Sequence, residues 1–338
     1  MAIQRVRPFR RAAVVFATHG NELAGPFVAM QLEEQDRFAE VAPSMECSCV
    51  EANPEAHEQR VRFVDVDLNR QFSAEVLASP ASPEEPREIA LAKALDKALG
   101  PKSSASPAQD LVIDLHTTTS NMGMTLVVQD MDSVSIGACA AVKEELGADG
   151  IPTRILWERT TREESPYLFS LGRHGVLVEV GPIATGIVEA GVVADMREAT
   201  ERLLEFFQRL NDHGEAARAA EAEGREAPPP VWGGGPVEVY EDLGIKVAPP
   251  QPLEDDVAMP MFHAELQDQD WVPLRVGQGL FELPCGEVIT YKGEHGDDVV
   301  PIFVNEAGYQ NASSGVGFGL ARKTVVDTLP VVVEFERS

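Results

Sequence analysis

His19 and Glu22 lie three residues apart in THGNELAG (18–25), and an imidazole and a carboxylate at that spacing in a loop can turn toward one metal ion. The glycines at 20 and 25 are expected to let the backbone bend so that both side chains converge. Hydrolytic zinc sites take three protein ligands and keep a fourth position for water. His116, in LVIDLHTTTSN, is the third candidate: the apolar residues before it read as a buried strand, and an open α/β sheet gathers its site at the C-terminal ends of strands. Asp114, two residues earlier on the same strand face, is placed to accept from the ring. Such chemistry also needs a group that takes a proton and returns it. Glu179 in VLVEVGP is that candidate, because a carboxylate within an apolar run is costly unless it is paired or stands at the mouth of a site. The segment RVRFVDVDLNRQF adds Arg62 for an oxyanion, and Asn69 and Arg70 for a substrate carboxylate.

The elements that must position these groups follow a repeated pattern. Ala12 to Ala17 reads as a strand, the His19 turn follows, and Pro26 opens a helix-forming segment. The same order returns at Leu111–Leu115 before His116 and at Val176–Val180 before Gly181, with helical segments near Glu84–Leu99, Val134–Leu146 and Glu189–Leu210. Buried parallel strands alternating with helices imply an α/β sheet covered on both faces. A run of charges, four prolines and four glycines at 215–236 reads as a linker. The expected division is therefore an α/β catalytic domain at 1–214, the linker, and a β-rich domain at 237–338 with short strands between Gly, Pro and Asp turns.

With 28 basic and 55 acidic side chains the net charge is −27, which disfavours nucleic acid and anionic membrane surfaces as partners. No apolar run approaches the ~20 residues that span a bilayer. The N-terminus imitates a signal peptide only through Ala12–Ala17, and cleavage there would fall against the first motif, so a cytoplasmic protein is expected. Cys47, Cys49, Cys139 and Cys285 form no CxxC pair, and neither a disulfide framework nor a cysteine zinc site is expected.

These residues resemble the aspartoacylase and aminoacylase-3 branch of the succinylglutamate desuccinylase/aspartoacylase family. The matching stretches are THGNELAG (18–25), DVDLNR (65–70), DLHTTTSNMG (114–123), VEVGP (178–182), LQDQDW (266–271) and IFVNEAGY (302–309), in family order and over nearly the whole chain. The resemblance implies a zinc-carboxypeptidase-like mixed sheet flanked by helices, with a smaller β-rich C-terminal domain that narrows the entrance to the site. It implies one Zn²⁺ per subunit on His19, Glu22 and His116, Glu179 as acid/base, and Arg62, Asn69, Arg70 and Tyr309 as substrate contacts. The implied reaction is hydrolysis of an N-acyl-L-amino acid, with N-acetyl-L-aspartate the leading substrate, and related enzymes suggest a homodimer or larger assembly. One position departs: where the aspartate-specific enzymes have an arginine ten residues before the catalytic glutamate, this chain has Phe169. That favours the alternative of N-acyl aromatic or neutral amino acids, unless Arg159, Arg162 or Arg173 reaches in from the same stretch. A metallocarboxypeptidase acting on peptides is the second alternative.

Overall fold

The structure, a computed structural model, describes residues 2–130, 132–249, 261–309 and 316–335. Its N-terminal part contains β1 (Gln4–Val6), β2 (Arg11–Phe16), α1 (Ala24–Glu34), α2 (Arg37–Val41), β3 (Glu46–Glu51), α3 (Pro54–Gln59), α4 (Ala74–Ala78) and α5 (Arg87–Leu99). Then come β4 (Leu111–Thr117), β5 (Gly123–Val128), α6 (Ser133–Ala148), β6 (Thr153–Glu158), β7 (His174–Gly181) and α7 (Ala190–Ala222). The C-terminal part is β-rich: β8 (Gly235–Val247), β9 (Met261–Phe262), β10 (Gly279–Glu282), β11 (Val288–Thr290), β12 (Val299–Ile302), β13 (Phe318–Thr328) and β14 (Val331–Val333).

Nine strands form the main sheet in the order β12-β13-β8-β6-β5-β7-β4-β2-β3. Strands β3, β2, β4 and β7 are parallel, and the near-continuous burial of β2, β4 and β7 is what helices on both faces require. Strand β5 runs antiparallel to β7, so the sheet is mixed, as the family resemblance implies. Side chains alternate between faces along each strand. On one face Val14, Ile113, Leu115 and Val178 pack in the core that includes α1, α6 and α7 residues. On the other, Val15, Val112 and Leu177 meet Leu95 and Leu99 of α5 with Phe72, Leu168 and Phe169. The alternation places Asp114, His116 and Glu179 on this second face, and the parallel register sets His116 beside Glu179.

Two expectations change at the C-terminal side. Residues 215–222, expected within the linker, complete α7, because EAARAAEA is a run of helix formers and the first glycine comes only at Gly224 and the first proline at Pro228. The sheet also continues across the expected boundary, since β8 pairs in parallel with β6 and antiparallel with β13. Phe262, Leu274, Phe281, Tyr291 and Phe318 form a further core in the β-rich domain. Residues 250–260, 310–315 and 336–338 of the expected second domain lie outside the described residues. Among the described residues, no helix is long and apolar enough to cross a membrane.

Two cations brace the loop that follows β6. The buried Lys102 ammonium donates to Phe72 O (2.7 Å), Ser165 O (2.6 Å) and Ser170 Oγ (2.6 Å). The Arg162 guanidinium donates to the carbonyls of Ser170, Gly172, Leu171 and Lys102. Burial, reinforced by the Arg162 charge, pushes Lys102 down to about 7. An unfolded lysine titrates near ~10.4. Between these values the unfolded chain binds more protons, so this group's contribution is present above the unfolded value and is lost as pH falls through about 7. Lys102→Met removes the titration: in denaturant unfolding at a series of pH values, the wild-type minus variant stability should increase with pH above 7, by up to about 1.4 kcal/mol per unit. A flat or falling difference would contradict the assignment.

Candidate active site

The turn after β2 begins at Ala17, whose φ of 54° is a left-handed conformation uncommon for alanine and swings the chain out of the sheet. Neither Gly20 nor Gly25 has positive φ. Their requirement is proximity, not the bend expected from sequence. A Cβ at Gly20 would fall 2.1 Å from the Ala56 carbonyl carbon, and one at Gly25 would fall 3.3 Å from Leu115 Cβ. The loop is thus seated directly against α3 and β4, which delivers His19 and Glu22 to the end of β4.

There His19, Glu22 and His116 bring one donor atom each within 4.8 Å of one another, and all three are buried. His19 Nδ1 lies 2.6 Å from Glu22 Oε1, and His116 Nδ1 lies 3.0 Å from Glu22 Oε2, which also accepts from Thr117 N at 3.0 Å. The far ring nitrogens have their own carboxylates: Asp67 Oδ1 is 3.1 Å from His19 Nε2, and Asp114 Oδ2 is 3.0 Å from His116 Nε2. Thr18 Oγ1 donates to Asp114 at 2.8 Å. Burial disfavours charge on Glu22, yet His19 and His116 hold its carboxyl well below the usual range. Burial likewise opposes charge on His116, but Asp114 and Glu22 raise it well above the ordinary imidazole value.

Glu179 stands beside this cluster with Oε1 buried and without a hydrogen-bond partner. Burial raises its pKa well above normal; Glu22 and Glu306 add to the rise, and His116 and Arg62 oppose it. On the other side, Arg62 lies 3.5 Å from Glu22 Oε1 and 3.2 Å from Asp67 Oδ2. Its loop is held from beneath by buried Glu88 of α5, which accepts from Val64 N, Asp65 N and Val66 N at 2.7 to 3.1 Å. Asp67 also caps the Leu68–Arg70 turn by accepting from Asn69 N. Composition alone singles out neither Asp67 nor Glu88, although Asp67 lies inside the DVDLNR stretch that carries the family resemblance.

An inner cavity of about 420 Å³ leads from these groups past Asn69, Arg70, Tyr167 and Phe169 to Glu158, Asp242 and Lys246. An outer cleft of about 570 Å³ shares Glu22, Arg62, Thr118 and Glu306 with it and forms the approach. Asn69 Oδ1 accepts from Leu168 N at 2.8 Å, and its Nδ2 lies 3.3 Å from His116 Nε2. Arg70 lies over the Tyr167 ring at 5.2 Å, and Tyr167 is stacked on buried Phe169. Phe169 therefore backs the platform under Arg70. Tyr309 reaches the cavity from the C-terminal domain. That domain is tied down by Glu306, which accepts from the Thr118 hydroxyl, Thr119 N (2.9 Å) and Gly308 N (2.8 Å). None of Arg159, Arg162 and Arg173 lines the cavity: Arg159 pairs with Glu241, Arg173 with Asp110, and Arg162 is spent on carbonyls.

All eight sequence candidates thus line one space. Murine aminoacylase 3 superposes with a TM-score of 0.83 at 30% identity, covering 96% of this chain and 98% of that one. The human N-acyl-aromatic-L-amino acid amidohydrolase (carboxylate-forming) is 33% identical over 92% of this chain and 90% of its own length. Rat aspartoacylase is 34% identical over 89% of each. Residues 8–207 match the succinylglutamate desuccinylase/aspartoacylase catalytic domain, and 251–317 match the AstE/AspA barrel-sandwich hybrid domain. The chain belongs to the succinylglutamate desuccinylase/aspartoacylase family.

Proposed function

We propose that this protein is a zinc-dependent amidohydrolase that cleaves the amide bond of N-acyl-L-amino acids, releasing a carboxylic acid and the free amino acid. The observation that carries the reading is the convergence of His19 Nδ1, His116 Nδ1 and the Glu22 carboxylate beside a buried, unpartnered Glu179. Two imidazoles and one carboxylate suit zinc, whereas calcium and magnesium favour all-oxygen sets. Asp67 and Asp114 on the far nitrogens fix the rings with Nδ1 turned inward, as metal-binding histidines require. Bound there, one zinc ion per chain supplies Lewis-acid polarisation and an acidified water.

The chain's own groups account for the remainder. As water oxygen bonds to the acyl carbon, Glu179 takes its proton; as the carbon–nitrogen bond breaks, the same carboxyl hands that proton to the departing amine. Burial raises the proton affinity this exchange needs. Arg62 donates to the carbonyl oxygen as negative charge develops. Arg70, stacked on Tyr167 and facing the cavity, takes the amino acid carboxylate, with Tyr309 closing over it.

Relatives of both substrate types are about equally similar to the chain, so support for one comes from the cavity. Phe169 in place of an arginine, and the diversion of Arg159, Arg162 and Arg173, favour neutral or aromatic side chains over N-acetyl-L-aspartate. A carboxypeptidase reading is disfavoured because Phe303, Glu306 and Tyr309 enclose the space a peptide would need.

Zinc-loaded protein should release acetate faster from N-acetyl-L-tyrosine than from N-acetyl-L-aspartate; the opposite order would return the aspartate reading to first place. Glu179→Gln should lower kcat by about 10²–10⁴-fold with zinc content unchanged. Near-normal turnover in that variant would remove Glu179 from its role.

A further inference from the structure

Strand β8 brings two charged residues into the cavity that the reaction above does not use. Asp242 pairs with Ala321 of β13 and Ile245 with the next partner, Leu320, so Leu243 and Gly244 bulge out of the ladder, Gly244 with a φ of 67°. A bulge of this kind re-aims side chains next to a site. Here it makes Asp242 and Lys246 near neighbours on one face, with Lys246 Nζ 3.5 Å from Asp242 Oδ2, while Asp242 Oδ1 accepts from Gly244 N. Lys246 stands opposite Gly319, where an added Cβ would come within 3.2 Å of Nζ. On its other edge β8 sets Asp242 level with Glu158 of β6. Burial, and then Asp242 beside it, push the Glu158 carboxyl up to about 7, against the pull of Lys246, Arg70 and the Tyr167 hydroxyl.

We propose that Asp242 is a specificity-determining residue: by engaging Lys246 it confines the cavity to N-acyl-L-amino acids with one carboxylate and a neutral side chain. This rests on the deacylase reading. Arg70 donates to Asn69 O and has no carboxylate ion pair among the described residues, so it is available to the substrate's α-carboxylate. Lys246 is the other cation at the inner end, and Asp242 already answers its charge. A second carboxylate, as in N-acetyl-L-aspartate, would approach Lys246 against the like charge of Asp242, which lies 3.5 Å from Nζ. A neutral side chain meets Val127, Leu177 and Tyr167 and requires no counter-charge.

Asp242→Asn keeps the shape and the acceptor for Gly244 N while releasing Lys246. In zinc-loaded protein shown by thermal melting to be folded, kcat/KM for N-acetyl-L-aspartate should rise by about tenfold or more relative to N-acetyl-L-tyrosine. Calorimetric Kd values for the products L-aspartate and L-tyrosine, which need no turnover, should shift the same way. Adding Lys246→Met should abolish the gain; a pocket merely loosened by the first substitution would keep it. Unchanged ratios in the single variant, a gain retained in the double variant, or a wild-type preference for N-acetyl-L-aspartate would each overturn the proposal. If wild-type protein hydrolyses neither substrate, the deacylase reading fails, while the product-binding ratio still decides the role of Asp242.

Discussion

Glu22 between His19 and His116 is the interaction on which the arrangement depends. Three polar side chains removed from water at the end of a sheet are costly unless every donor and acceptor is answered. Glu22 is answered by both rings and by Thr117 N, His19 by Asp67, and Asp114 Oδ2 lies at ion-pair distance from His116 Nε2. Each support has its own: Asp114 accepts from Thr18, and Asp67 sits on a loop whose amides converge on Glu88. Breaking any one link leaves a buried charge without a partner, which costs more than the link contributes.

Parallel pairing then determines what stands beside the cluster. Because β4 and β7 are in register at His116 and Glu179, and both side chains point to the face away from α7, the carboxyl proposed to exchange protons lies next to the candidate ligands without any loop to place it. The substrate end is built differently. Its wall is a loop held by Lys102 and Arg162 through backbone carbonyls, so the platform of Phe169 and Tyr167 under Arg70 is set by dipoles from several segments.

This difference explains what could be read in the chain beforehand. The strands carrying His116 and Glu179 are continuous apolar runs, and the His19–Glu22 spacing is a property of one short loop; both are local. Strands β5 and β6 were not singled out: GMTLVV and TRILWE are short, and nothing in their sequence tells that β5 reverses direction against β7. The end of α7 is not marked by composition, because its alanine-rich last residues run directly into the segment of charges, prolines and glycines. Phe169 was legible as a departure, but its place beneath Tyr167 depends on a stack between residues of an irregular turn.

The cavity therefore has two ends with separate structural origins. The end that holds the candidate ligands and Glu179 rests on β2, β4 and β7, largely buried strands where substitution of a paired polar group is heavily penalised. The end that meets the amino acid side chain rests on β6, β8 and the loop after β6, where a bulge and partly exposed positions leave room for change. A strand bulge redirects two or three side chains without disturbing a register four strands away, so charge at the inner end can alter while His19, Glu22, His116 and Glu179 stay in place. On the proposed function, reaction type is thus encoded where the fold is least adjustable, and substrate choice where it is most.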